Sequence, residues 1–141
     1  MKKFLFLVLA VSIFAIPAFA NIPSKVEGSF KAKYGTASHV EWKHGLFGDY
    51  KALFVLEGYQ YKAKFDKKGN WIETQKIMSA DKLPGTVRNS FHQSKYNQWE
   101  IKETYELYLP NHRPQYHIDA AKSEFKRKHL LFDDRGELMN G

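Results

Sequence analysis

The chain predicts an α+β fold, a tandem duplication of a helix followed by antiparallel β-hairpins (α-β-β-β-β in each copy), packed as two layers. Three observations carry that prediction. The first is a recurrence: Ile22-Pro23-Ser24-Lys25-Val26-Glu27-Gly28-Ser29-Phe30 returns as Leu83-Pro84-Gly85-Thr86-Val87-Arg88-Asn89-Ser90-Phe91, with Pro, Val, Ser and Phe repeated at an offset of 61 positions. The second is a later landmark, Phe65-Asp66-Lys67-Lys68-Gly69, which returns as Phe132-Asp133-Asp134-Arg135-Gly136 at an offset of 67. Two landmarks in the same order mark one structural unit used twice. The third is a period-two alternation of apolar residues between the landmarks, the pattern of half-buried strands.

Residues 1–20 precede the first unit and read as a secretory signal peptide. Lys2 and Lys3 supply the positive start, Phe4 to Ile16 is an apolar run, Pro17 breaks it, and Ala18-Phe19-Ala20 is a small-x-small cleavage site. The run is shorter than the roughly 20 apolar residues that a bilayer demands. Cleavage after Ala20 is therefore expected, leaving a periplasmic or secreted chain with no transmembrane anchor. The sequence contains no cysteine. That excludes lipid attachment through cysteine, disulfides, thiolate catalysis and cysteine metal sites. Of the 141 residues, the 121 after Ala20 divide into units 21–80 and 81–141, fused into one fold. A chain of this size buries roughly two thirds of its unfolded surface and needs no covalent staple.

Each unit opens with a short amphipathic helix. Pro23 and Pro84 suit the first helical position, where a missing N–H costs nothing. Val26, Phe30 and Tyr34 form the first apolar stripe at i, i+4 and i+8, and Val87 and Phe91 form the second. Gly35 and the Lys95-Tyr96-Asn97 segment end the helices. In unit one, strands follow at His39–Lys43, Tyr50–Leu56 and Tyr59–Phe65, the last two joined by the hairpin pair Glu57-Gly58. Gly45 and Gly48 serve a hairpin turn before Tyr50. Asp66-Lys67-Lys68-Gly69 makes a turn, with Asp first and Gly fourth, and Trp71–Met78 is the fourth strand. Unit two gives strands near Trp99–Leu107, Gln115–Ala121 and Phe125–Phe132. Pro110 to Pro114 forms a longer loop, and so little chain follows Gly136 that the last strand is short or absent.

Alternation sorts the two faces of the sheet. Val40, Trp42, Tyr50, Ala52, Phe54, Tyr61, Ala63 and Phe65 share the apolar parity in unit one, as do Trp99, Ile101, Tyr116, Ile118, Ala120, Leu130 and Phe132 in unit two. These should face the helices. The opposite parity holds Lys51, Leu53, Val55, Lys62, Lys64, Trp71, Gln115, His117, Asp119, Arg127 and His129. An antiparallel sheet can leave such a face in water.

Chemistry-bearing patterns are sparse. Without Lys2 and Lys3, 20 basic residues stand against 15 acidic, a formal +5. This charge is spread along the chain, which argues for solubility rather than nucleic-acid binding. No G-x-S-x-G elbow, H-E-x-x-H pair or Gly-rich phosphate loop occurs, so no enzymatic activity and no cofactor are expected. Asp133-Asp134 falls in a turn, where its role is to accept backbone N–H bonds. His117 and His129 are positioned to meet across the open face if their strands pair around Ala121–Glu124. With Asp119 they form the only metal alternative, short of a full ligand set. Lys126-Arg127-Lys128-His129 looks like a basic patch, but in a strand its members alternate faces.

The helix motif [IL]-P-x-x-V-x-x-[SA]-F, the Y-x-A-x-F strand, the Y-x-A-x-F-D-x-x-G strand and turn, and their repetition resemble the PepSY-like, beta-lactamase-inhibitor-like periplasmic proteins. The resemblance spans residues 21–141 and is strongest in unit one. It implies two units side by side in one larger antiparallel sheet, with helices on its outer side, as in the beta-lactamase inhibitor protein. It also implies that the open face grips a partner. No inhibitory loop motif is recognisable, so inhibition of a beta-lactamase does not follow. The expected function is a non-enzymatic binding protein for an envelope or extracellular protein or peptide, with Leu53, Val55, Lys62, Lys64, Trp71 and Arg127 as the contact candidates. The alternative is a small-ligand or metal-binding protein using His117, Asp119 and His129.

A unit of about 60 residues has a marginal core on its own. The fragment 80–141 should be unfolded or aggregated, 21–80 should keep partial structure, and the whole chain should melt in one cooperative transition. A dispersed amide spectrum from 80–141, or two melting steps in the whole chain, would contradict a single fused fold.

Overall fold

Both helices begin directly after a proline. The computed structural model describes residues 21–140, and the predicted signal peptide lies outside them. Helix α1 spans Ser24–Lys33 and α2 spans Gly85–Gln93. Pro23 and Pro84 are the N-caps, one residue earlier than their sequence pattern suggested. Their ψ values of 139° and 144° are extended rather than helical, and their carbonyls accept the first helical N–H bonds. The strands are β1 Ser38–His44, β2 Tyr50–Leu56, β3 Tyr59–Phe65, β4 Trp71–Met78, β5 Glu100–Tyr108, β6 Gln115–Ser123 and β7 Lys126–Phe132. They form one antiparallel sheet in chain order, β1 to β7. A short 3-10 turn, Ala80–Lys82, leads from β4 to α2. Among the described residues, no helix is long and apolar enough to cross a membrane.

Each helix drives two buried residues one turn apart into its half of the sheet. Val26 and Phe30 of α1 meet Ala52, Phe54, Ala63 and Phe65. The Phe30 ring packs edge-on against Phe54 at 5.1 Å, Trp42 at 5.3 Å and Phe65 at 6.3 Å. Val87 and Phe91 of α2 meet Ile118, Ala120, Leu130 and Phe132, with Leu83 and Tyr96 closing the edge. A fully buried Val or Phe contributes roughly 1.5–3 kcal/mol, so these four helix side chains hold the two layers together. Cross-strand pairing runs Tyr61–Lys76–Glu106–Tyr116–Phe132 along one row, which places both cores on the same side of the sheet. Between them this row is polar. Thr74 opposes Tyr108 and Lys76 opposes Glu106, so the β4–β5 ladder joins the two halves.

The Asp-x-x-Gly turns fix where each helix rests. Asp66 Oδ1 accepts the Lys68 and Asn70 N–H groups at 2.9 Å, and Asp133 Oδ1 accepts those of Arg135 and Glu137 at 2.9 and 2.8 Å. Each turn closes on a glycine in the left-handed region, Gly69 at φ +87° and Gly136 at φ +85°. A Cβ at Gly69 would lie 2.7 Å from the Lys25 carbonyl oxygen of α1. At Gly136 it would lie 2.6 Å from the Thr86 carbonyl oxygen of α2. The Ser90 hydroxyl donates to the Gly136 carbonyl at 2.5 Å.

The register shifts at four places, and two of the shifts reassign a residue. Between β1 and β2 the shift falls at Ser38–Glu41, where His39 has φ +52°; Val40, expected inside, is 41 % exposed. Between β3 and β4, Lys64 pairs with Glu73 but Phe65 pairs with Trp71, so Ile72 is the extra residue. Trp71 therefore stands on the helix side, not the open face. It packs against the α1 core, its indole N–H donates to Thr74 Oγ1 at 2.8 Å, and Lys33 Nζ lies 3.8 Å over its ring. The other shifts lie at Ile101–Glu103 and Ala121–Ser123. Bulges of this kind also bend the strands that carry them. Trp99 packs against the second core but precedes β5. The short final strand is a single bridge, Phe132 to Leu138, with Met139 N–H donating to the Leu131 carbonyl at 2.7 Å.

Substitutions at glycine should therefore have opposite signs by position. Gly69→Ala and Gly136→Ala should each cost more than about 1 kcal/mol, because the left-handed backbone and the helix carbonyl both reject a methyl group. Gly28→Ala, in mid-α1 with nothing near its would-be Cβ, should stabilise by about 1 kcal/mol. Urea unfolding curves of the three variants read all three shifts.

Candidate interaction face

With both helices on one side, the other side of the sheet is built only from alternate strand residues. Reading across the ladders, one row runs Leu53–Lys62–Gln75–Leu107–Gln115. The next runs Ile77–Tyr105–His117–Leu131, with Val55 opposite Gln60 at its β2–β3 end. To either side lie Lys51–Lys64–Glu73 and Glu103–Asp119–His129. Leu53, Val55, Ile77, Tyr105, Leu107 and Leu131 are each half-buried. They form an apolar band, broken by Lys62 and glutamines, that no helix covers. Beside Leu53, Val55 and Ile77 the surface dips into a depression of about 240 Å³.

Charged side chains fringe the band in opposite-sign pairs. Lys64 Nζ lies 3.5 Å from Glu73, Lys62 Nζ 3.6 Å from Glu103, and Arg127 Nη2 3.3 Å from Asp119. Lys62–Glu103 is exposed and Lys64–Glu73 half-buried; solvent-reached pairs of this kind add little stability, but they hold donors and acceptors ready along the rim. Asp119 is the most buried of these partners. Only 7 % of it is accessible, and its Oδ1 accepts no hydrogen bond, facing His129 Nδ1 at 3.5 Å. A buried carboxylate oxygen without a donor is costly, which makes it the least satisfied group on the face.

The aromatic end of the band is electrostatically tuned. The Tyr105 and His117 rings stack at 4.4 Å and 7°, and the His117 and His129 rings lie 5.4 Å apart. Burial first, then the charges of Glu73, Glu103 and Asp119, push the Tyr105 phenol up to about 12, so it remains a neutral donor. Burial, and next the neighbouring His129, lower His117 below the ordinary histidine value, while Asp119 and Glu103 act in the opposite direction.

Leu53, Val55, Lys62 and Lys64 thus share one continuous patch. Arg127 lies on the same face on β7, four strands beyond Lys62 and Lys64 and five beyond Leu53 and Val55, roughly 19–24 Å across the sheet by strand spacing. Trp71 is not part of the face. Ile77, Tyr105, Leu107 and Leu131 were missed. Alternation along β4 from Glu73 was a usable signal for Ile77, whereas the shift at Ile101–Glu103 hides Tyr105 and Leu107, which share the parity of inward-facing Ile101. His117, Asp119 and His129 do come together. Even so, among the described residues no group of three or more histidine, aspartate or glutamate side chains is arranged to hold a metal.

Residues 48–140 match the model of a family described as "Putative beta-lactamase-inhibitor-like, PepSY-like". No curated protein matches the chain significantly in sequence. Among solved structures, a DUF2874 family protein from Bacteroides ovatus superimposes with a TM-score of 0.80 at 25 % identity, covering 86 % of each chain. A Bacteroides eggerthii protein described as "putative periplasmic" gives 0.78 at 24 % identity, covering 86 % of this chain and 88 % of its own. A BLIP-like protein from Bacteroides fragilis gives 0.78 at 22 % identity, covering 87 % and 86 %. The small α+β fold and its beta-lactamase-inhibitor-protein-like class are thereby established.

A histidine whose value is lowered on folding stabilises fully above its unfolded value near 6.5, and that contribution is lost as pH falls through the lower folded value. His117→Phe keeps the stack on Tyr105 and removes the titration. Its melting temperature should fall less than that of the native chain between about pH 7 and about pH 5. Parallel pH profiles would show that His117 has no such role.

Proposed function

Because the chain belongs to this PepSY-like, beta-lactamase-inhibitor-like family, we propose that it is an exported, non-enzymatic binding protein that holds a protein or peptide partner on its open sheet face. One observation carries the reading: the apolar band from Leu53 and Val55 to Leu131 is left bare by both helices and rimmed with paired charges. Apolar anchors within a polar rim are the anatomy of protein interfaces. An uncovered apolar band on a soluble domain is a liability unless something covers it. Tyr105, rigid and amphipathic near the middle of the band, is the kind of residue that dominates such contacts.

The contact set is Leu53, Val55, Lys62 and Lys64, extended by Ile77, Tyr105 and Leu107, with Arg127 at the far rim. Asp119 supports this reading, because a partner's N–H donor reaching Oδ1 would relieve an unsatisfied acceptor. Whether the partner is an enzyme inhibited by the contact depends on what occupies the face, and inhibition is one form of the same binding.

The test is affinity capture from envelope and culture-fluid extracts. The native chain should retain a defined partner. A Leu53→Asp/Val55→Asp variant, shown to be folded by its melting curve, should lose it by tenfold or more, on the order of 1–3 kcal/mol for two buried anchors. Lys25→Asp, on the outward side of α1, should retain it. Equal recovery by native chain and face variant would place the interface elsewhere.

A further inference from the structure

The basic run that strand alternation splits between two faces converges again at the end of its hairpin. Phe125 sits at the turn between β6 and β7 and is 94 % exposed. Lys126 and Lys128 fall on the helix side, where Lys128 opposes core residue Ala120 and Lys126 Nζ lies 6.0 Å over the Trp99 ring. Arg127 falls on the open side, opposite Ala121 and paired with Asp119. Lys122 lies at the register shift just before the turn. One fully exposed aromatic ring therefore carries cations on both sides of its hairpin. Across residues 122–128, four cations stand against the single acid Glu124. Beside the turn, Lys102, Lys122 and Arg127 line a depression of about 490 Å³ together with Glu100 and Glu124, and Lys102 Nζ is paired with Glu100 at 2.8 Å.

The other exposed apolar tip lacks this collar. Leu46 and Phe47, each 96 % exposed, cap the β1–β2 hairpin. There Lys43 and Lys51 are balanced by Glu41 and Asp49. Because the sheet is a meander, the β1–β2 and β6–β7 turns lie at opposite ends of the strands.

We propose that the β6–β7 hairpin tip docks on an anionic phospholipid surface, with the Phe125 ring entering the headgroup–acyl boundary and Lys122, Lys126, Arg127 and Lys128 over the lipid phosphates. An aromatic ring gains from leaving water at that depth. Each nearby cation adds roughly fivefold in affinity for an anionic surface. A collar on both sides of the ring lets every cation reach the surface when the hairpin stands upright on it. This contact uses neither the apolar band nor the helices and shares only the rim residue Arg127 with the open face.

The test uses the chain starting at Asn21, which contains both cores and removes the apolar residues 4–16 as a rival membrane contact. Co-sedimentation is measured with vesicles of phosphatidylethanolamine and phosphatidylglycerol at 3:1, and with phosphatidylcholine alone. The chain should bind the anionic vesicles, with binding falling steeply as salt is raised, and should ignore the neutral ones. Phe125→Ser, too exposed to disturb the fold, should weaken binding about tenfold. Lys122→Gln/Lys128→Gln should do so by more than tenfold. Leu46→Ser/Phe47→Ser should leave binding unchanged. In Phe125→Trp, brominated lipid should quench emission beyond the level of the native tryptophans. The proposal is overturned by any of three results: no binding to anionic vesicles, undiminished binding by Phe125→Ser, or loss through the Leu46/Phe47 variant instead. Binding to heparin or polyglutamate but not to vesicles likewise overturns it, in favour of a polyanion contact.

Discussion

Two glycines lie directly against the backbone of two helices, and the arrangement of this molecule follows from that contact. Gly69 meets the Lys25 carbonyl and Gly136 the Thr86 carbonyl at separations no side chain tolerates. Each glycine is the last residue of an aspartate-closed turn, and each turn continues a strand whose preceding phenylalanine, Phe65 or Phe132, enters the core beneath the same helix. One short sequence, F-D-x-x-G, thereby sets strand end, turn and helix height together. With the helix seated there, Val26 and Phe30, or Val87 and Phe91, point straight into the sheet. Both helices occupy the same side because β4 and β5 continue one ladder. The bare opposite face is the remainder of that arrangement.

What the sequence made legible was whatever is set locally. The Glu57-Gly58 hairpin has both residues at positive φ, and β2 and β3 end where the turn residues said they would. The aspartate turns and the two helix stripes were readable for the same reason: each depends on neighbours in the chain. The bulges were not readable. One extra residue in a strand changes no composition, and the residues involved (Val40, Ile72 with Trp71, Lys102) are tolerated on either face. Trp71 was misplaced because an indole beside lysines suits an interface as well as it suits the end of a helix.

The open face was half legible. Leu53 and Val55 follow from strict alternation in a strand without a bulge. Tyr105 and Leu107 lie beyond one, so counting from Ile101 places them on the wrong side. Their association with Ile77, His117 and Leu131 exists only across ladders, between segments that share no local signal. The burial of Asp119 is likewise a property of three strands together. Family membership supplied the class of fold and gave no residue of the face.

The bulge in β5 has a consequence for how this face can change over generations. Upstream of it Ile101 faces the helices, and downstream Tyr105 and Leu107 face away. Lys102 is the extra residue between them, and its loss would leave Ile101 and Glu103 as ordinary neighbours with Tyr105 and Leu107 still facing away. The bulge therefore absorbs a one-residue change in strand length without turning the apolar stretch over. The β2–β3 ladder has no such slack: losing Phe54 would send Leu53 and Val55 to opposite faces. Length variation is tolerated at the bulge, and diversification of the face elsewhere is channelled into side-chain identity.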